Sequence, residues 1–166
     1  MAGIADLHRT AKGEAPQCFP YPISGNVIPR IDVFGDDGYT GEETKMIMET
    51  RKILHAPDMK ITATTVRVPV EIGHSESINL TFEKPFELDE VRSILKNAPG
   101  VILMDDPASD LYPTPRHAAG TDEVYVGRIR RDFSEKNSLN IWVVADNVRK
   151  GAATNAVQIA ELLVNS

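Results

Sequence analysis

Two pairs of predicted strands in this chain of 166 residues are joined by connections too short to hold a helix. Residues 61–70, rich in β-branched side chains, precede the alternating stretch 77–86, and the alternating stretch 123–132 precedes 140–148. A parallel pair needs a crossover of about a dozen residues or more, whereas antiparallel strands can follow each other closely. The predicted class is therefore α+β, with a mostly antiparallel or mixed sheet and helices packed on it.

Helices and irregular passages complete the predicted order of elements. Hydrophobic periodicity and capping signals place helices at residues 3–12, 40–54, 89–97 and 151–164, and a short strand at 101–104. Most of the prolines lie in two other segments, at 13–39 and 105–121. Since proline restricts both itself and its predecessor to extended or turn geometry, these segments are predicted to be irregular surface passages.

Composition excludes several classes of partner. A charged fraction of 25% and an apolar fraction of 42% are ordinary for a globular domain, and the net charge of −6 disfavours a grip on nucleic acid. No apolar run approaches the length of about 18 residues that a spanning helix needs, and the N-terminal residues do not resemble a signal peptide. We expect a cytoplasmic chain without a nucleic-acid or membrane partner.

The sequence contains no recognisable metal or nucleotide motif. The single cysteine, Cys18, excludes an internal disulfide and a cysteine-rich zinc site, and the four histidines lack metal-ligand spacing. Neither type of glycine-rich phosphate loop is present. We predict that the chain binds no metal.

Arg67 and His74 are the first candidates for chemistry. A guanidinium binds a carboxylate through two parallel hydrogen bonds, and an imidazole can transfer a proton near neutral pH. A separation of seven residues would place them on opposite faces of one continuous strand, so they can converge only if Pro69 and Gly73 interrupt it. From the residues alone, an exposed arginine and a strand-end histidine without a catalytic role remain the commoner alternative.

A polar stripe on the helix at 40–54 is a second candidate. Glu42, Lys45, Glu49 and Lys52 recur at intervals of three and four residues and therefore share one face. A solvent-exposed row of ion pairs is the simpler interpretation of this stripe.

Several runs of the sequence together resemble one family. They are the residues 19–23 (FPYPI), 26–32 (NVIPRID), 49–54 (ETRKIL), 66–70 (VRVPV), 73–76 (GHSE) and 145–153 (ADNVRKGAA). In this order, and across nearly the whole chain, they are similar to the C-terminal portion of bacterial-type aspartate-semialdehyde dehydrogenase.

The resemblance implies an activity and a division of labour. The family reduces and dephosphorylates 4-aspartyl phosphate to L-aspartate 4-semialdehyde with NADPH, on the way to lysine, threonine and methionine. Its N-terminal Rossmann domain carries the nucleotide loop and the nucleophilic cysteine. The domain that follows is like the C-terminal domain of glyceraldehyde-3-phosphate dehydrogenase. Residues 1–149 would then form the substrate-binding and dimerisation domain, and residues 150–166 a helix packed on the Rossmann domain.

The resemblance also assigns roles to residues in this chain. Arg67 stands at the position that binds the substrate carboxylate, and His74 at the position of the acid/base histidine, with Pro69 and Gly73 as the break that lets both serve one cleft. Cys18 does not lie in the family's nucleophile motif, so we interpret it as a buried or incidental thiol.

Three further residues match positions that contact ligands. Lys45 matches a phosphate-binding lysine, Glu42 a glutamate that contacts the substrate amino group, and Asn147 a residue that approaches the nicotinamide amide. Glu49 and Lys52 match no such position, so they keep the simpler interpretation as surface charges.

Three hypotheses follow from these observations. The chain is the substrate-binding half of an NADP-dependent enzyme, inactive alone and assembled as a homodimer or homotetramer. Alternatively, it is a stand-alone dimerisation or binding module without catalysis. A weaker alternative is the related N-acetyl-glutamyl-phosphate reductase, which the runs at 66–76 and 146–153 match less well.

Overall fold

The computed structural model describes residues 2–165, which divide into two compact units. The first unit ends at Glu71 and the second begins at Ile72. Across both units, the helices and strands in chain order are α1 (Ala2–Ala11), α2 (Gly41–Ile53), β1 (His74–Thr81), α3 (Leu88–Asn97), β2 (Val101–Leu103), a 3-10 turn (Pro107–Ser109), α4 (Pro115–Ala118), β3 (Val124–Arg131), β4 (Ser138–Ala145), a π-helical turn (Arg149–Ala153) and α5 (Thr154–Asn165).

In the first unit, α1 fastens the proline-rich passage that follows it. The buried carboxylate of Asp6 accepts hydrogen bonds from the backbone N–H groups of Gln17, Cys18 and Phe19, at 2.8, 2.8 and 3.0 Å. The N–H of Ser24 donates to the hydroxyl oxygen of the same helix's Thr10 at 3.1 Å. The passage is irregular, as predicted, but side-chain acceptors on α1 hold its first part in place.

The capping box predicted for α2 is confirmed. The Glu43 N–H donates to the Thr40 hydroxyl at 3.4 Å, and the Thr40 N–H donates to the Glu43 carboxylate at 2.8 Å. Both residues are buried, so the two backbone donors that helix geometry leaves unpaired are satisfied away from water. The helix then ends at Ile53, within one residue of the predicted end.

The strand predicted at 61–70 is wrong. Its pairing within residues 2–165 is one isolated antiparallel bridge, in which Arg67 and Ile28 exchange two hydrogen bonds of 2.9 and 3.0 Å. Pro29 and Pro69 flank that bridge and have no N–H to continue a ladder. A β-branched composition favours extended backbone, but a strand also needs a neighbour that can pair with it.

The second unit contains a four-stranded sheet in the order β1-β4-β3-β2. β4 pairs antiparallel with both β1 and β3, and β2 pairs parallel with β3. The predicted α+β class with a mixed sheet is confirmed. The short connection between 132 and 140 does join antiparallel neighbours, whereas β1 pairs with the distant β4 and not with residues 61–70.

The strand boundaries differ from the predicted ones by a few residues. β1 begins at His74, three residues earlier than expected, and ends at Thr81, because the chain then turns through a segment that contains Pro85. β4 begins at Ser138 and ends at Ala145, which leaves Asp146 and Asn147 in the turn that leads to the last helix.

The core of the second unit lies on the face of the sheet that carries Tyr125 and Val144. These residues cluster with Ala118 of α4, and Trp142 packs against the cluster while its indole N–H donates to the Pro113 carbonyl at 3.0 Å. Fully burying an aliphatic or aromatic side chain contributes roughly 1.5–3 kcal/mol. This core therefore anchors β4 and the turn after it, where Asn147 lies.

No helix within residues 2–165 is long and apolar enough to cross a membrane.

Candidate functional site

The first unit presents the Arg67 guanidinium over an aromatic ring. The guanidinium carbon of the half-buried Arg67 lies 5.1 Å from the centroid of the Phe19 ring, a distance at which a cation is attracted to an aromatic face. No acidic side chain among residues 2–165 forms an ion pair with Arg67. The Phe19 ring contacts one face of the planar guanidinium, whose N–H donors are available to an external carboxylate.

Glu42 and Lys45 lie side by side on the first turns of α2. Their charged atoms are 3.6 Å apart, and both side chains are partly exposed, at 36% and 54%. Two opposite charges one helical turn apart can recognise a small ligand that also carries both signs. The pair is a weak one in water and can exchange partners with such a ligand at little cost.

Glu43 joins the helix that carries Glu42 and Lys45 to the segment that carries Arg67. One carboxylate oxygen accepts from the Thr40 N–H and the other from the Thr65 N–H, both at 2.8 Å. These two hydrogen bonds lower the pKa of Glu43 below its ordinary value of 4.5. The capping motif predicted the first bond, but the second spans 22 positions and has no signal in the sequence.

His74 opens β1 in the second unit, and its side chain is exposed. The residue before it, Gly73, has a φ of 110°, which a side chain rarely tolerates, and a Cβ there would lie 3.3 Å from that of Pro115. The predicted break between Arg67 and His74 is present, because Arg67 lies in an isolated bridge and His74 begins a separate strand. The parity of one continuous strand therefore does not apply to the pair.

Asn147 lies close to His74 in the second unit. The amide oxygen of the half-buried Asn147 accepts a hydrogen bond of 2.8 Å from the backbone N–H of Gly73, the residue before His74. On the other side, a Cβ added to Gly151 would lie 4.0 Å from Cδ2 of the His74 ring. Asn147 therefore contacts the backbone that precedes His74, and Gly151 lies beside the imidazole.

Asp146, the buried residue that shapes this turn, was not predicted as a functional residue from the sequence. The Asp146 carboxylate, in a side chain only 3% exposed, accepts from the backbone N–H groups of Gly120, Val148 and Arg149 at 2.8, 2.8 and 3.0 Å. Burial raises the pKa of Asp146, but the three N–H donors together with the charge of Arg149 outweigh it and leave the pKa below its ordinary value of 3.8. An aspartate that binds N–H groups two and three residues later is typical of a turn leading into a helix, so the sequence did carry a signal.

A charged network anchors the start of the last helix. Arg149 donates two hydrogen bonds of 2.7 Å to the two oxygens of Asp122, and the Thr154 hydroxyl donates to the same carboxylate at 2.7 Å. The hydrogen bonds from Arg149 and Thr154 lower the pKa of Asp122 to about 2. Such two-pronged pairs fix geometry as well as charge.

Cys18 is exposed, so the interpretation of it as a buried thiol is wrong. Its backbone N–H, rather than its sulfur, has the structural task, since it donates to Asp6. This leaves the incidental thiol as the interpretation of Cys18.

Comparison with known proteins now identifies the family. The family model described as "Semialdehyde dehydrogenase, dimerisation domain" matches residues 2–150. The chain belongs to the semialdehyde dehydrogenase family. Within it, the aspartate-semialdehyde dehydrogenase of Aquifex aeolicus (strain VF5) is 60% identical over 148 residues, which are 89% of this chain and 44% of that protein. The corresponding protein of Bacillus subtilis (strain 168) is 51% identical over 86% of this chain and 42% of its own length.

Solved structures of semialdehyde dehydrogenases show the same fold. Aspartate semialdehyde dehydrogenase II of Vibrio cholerae is 46% identical, with a TM-score of 0.93, over 99% of this chain and 50% of that one. The same enzyme has been solved complexed with ASA, with a TM-score of 0.92 and 45% identity over the same shares of the two chains. The enzyme of Candida albicans, solved with NADP, is 29% identical with a TM-score of 0.68, over 86% of this chain and 45% of that one.

The matches confirm the resemblance to the C-terminal portion of this family. The chain spans about half the length of the relatives it matches. The roles assigned to Arg67, His74, Glu42, Lys45 and Asn147 stay predictions.

Proposed function

We propose that this chain is the substrate-binding and dimerisation portion of an NADP-dependent aspartate-semialdehyde dehydrogenase. The complete enzyme would convert 4-aspartyl phosphate to L-aspartate 4-semialdehyde and phosphate, a step in amino-acid biosynthesis. Beside the family membership, one observation carries the proposal. Arg67 has no acidic partner among residues 2–165 while its guanidinium is stacked on Phe19, as a site for a substrate carboxylate requires. The predicted cytoplasmic location remains part of this proposal.

Three residues of the first unit would hold the substrate. Arg67 would bind the α-carboxylate through its two parallel N–H donors, Lys45 the phosphate, and Glu42 the amino group. The ion pair between Glu42 and Lys45, at 3.6 Å, supports this division because each partner can turn to the substrate group of opposite charge.

His74 would handle protons at the reacting centre. Its imidazole would take the proton of a cysteine thiol from outside this chain as the sulfur attacks the acyl phosphate, which releases phosphate and leaves a thioester. The imidazolium would return this proton to the substrate oxygen as the thioester is reduced to a thiohemiacetal. The neutral imidazole would then accept it again from the hydroxyl group, so that the C–S bond breaks, the sulfur leaves as a thiolate and the aldehyde is released. An exposed imidazole at the start of β1 is accessible for both steps.

The cofactor would contact this chain through few residues. NADPH supplies the hydride in this reaction, and most of its binding site would lie outside this chain. Asn147 fits a role at the nicotinamide amide, because its amide nitrogen can still donate while its oxygen is held by Gly73. Residues 150–166 would pack against the nucleotide-binding domain of the complete protein.

The test of the proposal is Arg67→Ala in the complete enzyme. Loss of a charge partner inside a binding site costs about 2–5 kcal/mol, so kcat/KM for the substrate should fall by at least 30-fold. Arg30→Ala is the matched control, because Arg30 also stacks on a ring, that of Phe34 at 5.5 Å, and has no proposed ligand. Unchanged kinetics in Arg67→Ala would refute the carboxylate assignment.

A further inference from the structure

We infer that Asn147 is a positioning residue, whose side-chain oxygen fixes the backbone immediately before His74. The hydrogen bond from the Gly73 N–H to Asn147 Oδ1, at 2.8 Å, joins residues 74 positions apart and ends one residue short of the imidazole. The inference rests on the proposed function, in which His74 moves the protons, and it goes beyond the contact with nicotinamide proposed for Asn147.

Gly73 needs this partner because the sheet does not provide one. The ladder between β1 and β4 begins with His74 opposite Ala145, so Gly73 lies beyond its last pair. With a φ of 110° and no side chain, Gly73 has little of its own to restrict it, and it is half-buried. Without Asn147, its N–H would lose its acceptor and the chain leading into His74 could rotate.

Asn147 is itself held firmly enough to act as a tether. It follows Asp146, whose buried carboxylate binds three backbone N–H groups of the surrounding turns, including that of Val148 on the other side of Asn147. Asp146 in turn follows β4, the strand anchored by Val144 in the core. The position of the Gly73 N–H is therefore tied to the strand that Val144 anchors in the core.

The hydrogen bond also fixes which way the amide of Asn147 points. A backbone N–H must meet the carbonyl oxygen and not the NH2 group, so the oxygen faces Gly73 and the nitrogen is left for other partners. Asn147 would thus combine two tasks in two different atoms, the oxygen for His74 and the nitrogen for the cofactor.

Aspartate and alanine substitutions separate the two tasks. Asn147→Asp keeps an oxygen acceptor for Gly73 but loses the NH2 donor, whereas Asn147→Ala loses both. Asn140→Ala is the matched control, because Asn140 lies on β4, the strand that precedes Asn147, and its amide oxygen accepts from Asn79 at 3.1 Å, away from His74.

The first readout is hydrogen exchange at the Gly73 amide, followed by NMR in the complete enzyme. The net contribution of one hydrogen bond is about 1 kcal/mol, so exchange should become roughly five- to tenfold faster in Asn147→Ala. It should stay slow in Asn147→Asp and in Asn140→Ala. Equal protection of Gly73 in Asn147→Ala and in the wild type would overturn the tether.

The second readout is steady-state kinetics of the same variants. Because a misplacement of about 1 Å can reduce the rate by about 10²-fold, kcat should fall by 10- to 100-fold in Asn147→Ala. Asn147→Asp should retain most of kcat while its KM for NADPH rises. If the two variants lose kcat equally, the oxygen does not position His74 and the inference is wrong.

A third variant separates this inference from the proposed function. If His74→Asn retained full turnover, the acid/base role of His74 would be refuted. The exchange rate of Gly73 would still report whether Asn147 holds the backbone, since that measurement does not depend on activity.

Discussion

At the residue scale, Arg67 and His74 each depend on a residue that the sequence did not pair with them: Phe19 lies under Arg67, and Asn147 binds the backbone before His74. The Arg67 guanidinium lies over the Phe19 ring, and the backbone N–H of Phe19 donates a hydrogen bond to the buried carboxylate of Asp6. Gly3 also belongs to this arrangement, since a Cβ there would lie 3.0 Å from the edge of the Phe19 ring. The Phe19 ring is thus a platform under the guanidinium. The helix α1 contributes to the site by supporting this platform and has no proposed ligand contact of its own.

The platform leads to a first prediction. Phe19→Leu keeps an apolar side chain but removes the π face, and an exposed cation–π contact contributes about 0.5–1 kcal/mol. We expect KM for the substrate to rise about two- to fivefold, with kcat little changed, in steady-state assays of the complete enzyme. Phe34→Leu removes the ring under Arg30 and is the control. Equal KM values in Phe19→Leu and Phe34→Leu would mean that the ring does not orient Arg67.

At this scale, a hydrogen bond could be predicted from the sequence only where its two residues lie close together along the chain. The capping box spans three residues, so Thr40 and Glu43 could be paired from the sequence. The bond from Thr65 to Glu43 and the bond from Gly73 to Asn147 join residues 22 and 74 positions apart. Such contacts depend on the folded chain, and within each unit they are the ones that position the candidate residues.

At the element scale, local patterns predicted helices well and strands less well. α2 and α3 were placed within one residue at their C-terminal ends, since caps and periodicity are local signals. The stretch 61–70 has the composition of a strand but is no strand, because only the Arg67 bridge to Ile28 pairs it within residues 2–165. The composition of a stretch therefore does not say whether a pairing partner exists.

The start of α5 depends on a carboxylate that acid will protonate, which gives a second prediction. The pKa of Asp122 is lowered from 3.8 to about 2 by Arg149 and Thr154, so folding favours its charged form. Its contribution to stability is therefore fully present above pH 3.8 and is lost as the pH falls towards 2. The protection of the α5 amides, measured against the intrinsic exchange rate at each pH, should fall across this window, and Asp122→Asn should show low protection already at neutral pH.

The control for this prediction is an exposed ion pair in the same unit. Asp89 pairs with Arg92 at 3.4 Å, but its side chain is 99% exposed, so it contributes little. Asp89→Asn should leave exchange in α5 unchanged at every pH. Fast exchange in α5 in both variants would show that general surface charge, and not the bonds of Asp122, determines the order of this helix.

At the scale of the whole molecule, the chain exposes apolar surface that a free domain would normally cover. In the second unit, a groove of about 560 Å³ is lined by apolar residues of β1, β4, α3 and the turn after β1, Ile94 among them. On α5, Val157, Ile159 and Leu162 are more than half exposed. Contiguous apolar surfaces of this kind are typical of contacts with other protein surfaces. This agrees with the dimerisation-domain match and with the proposal that α5 meets the nucleotide-binding domain.

The third prediction assigns these two surfaces to different contacts. The isolated chain of 18.3 kDa should sediment as a dimer and show no dehydrogenase activity, because the proposed thiol and most of the cofactor site lie outside it. Ile94→Glu places a charge in the groove, at a side chain 62% exposed, so it should yield folded monomers. Leu162→Glu alters α5 at a side chain 72% exposed and should leave the dimer intact. In the complete enzyme, Leu162→Glu should instead lower the melting temperature by weakening contact with the nucleotide-binding domain. A wild-type chain that stays monomeric at high concentration would contradict this assignment of the two surfaces. A dimer that Leu162→Glu dissociates and Ile94→Glu does not would also contradict it.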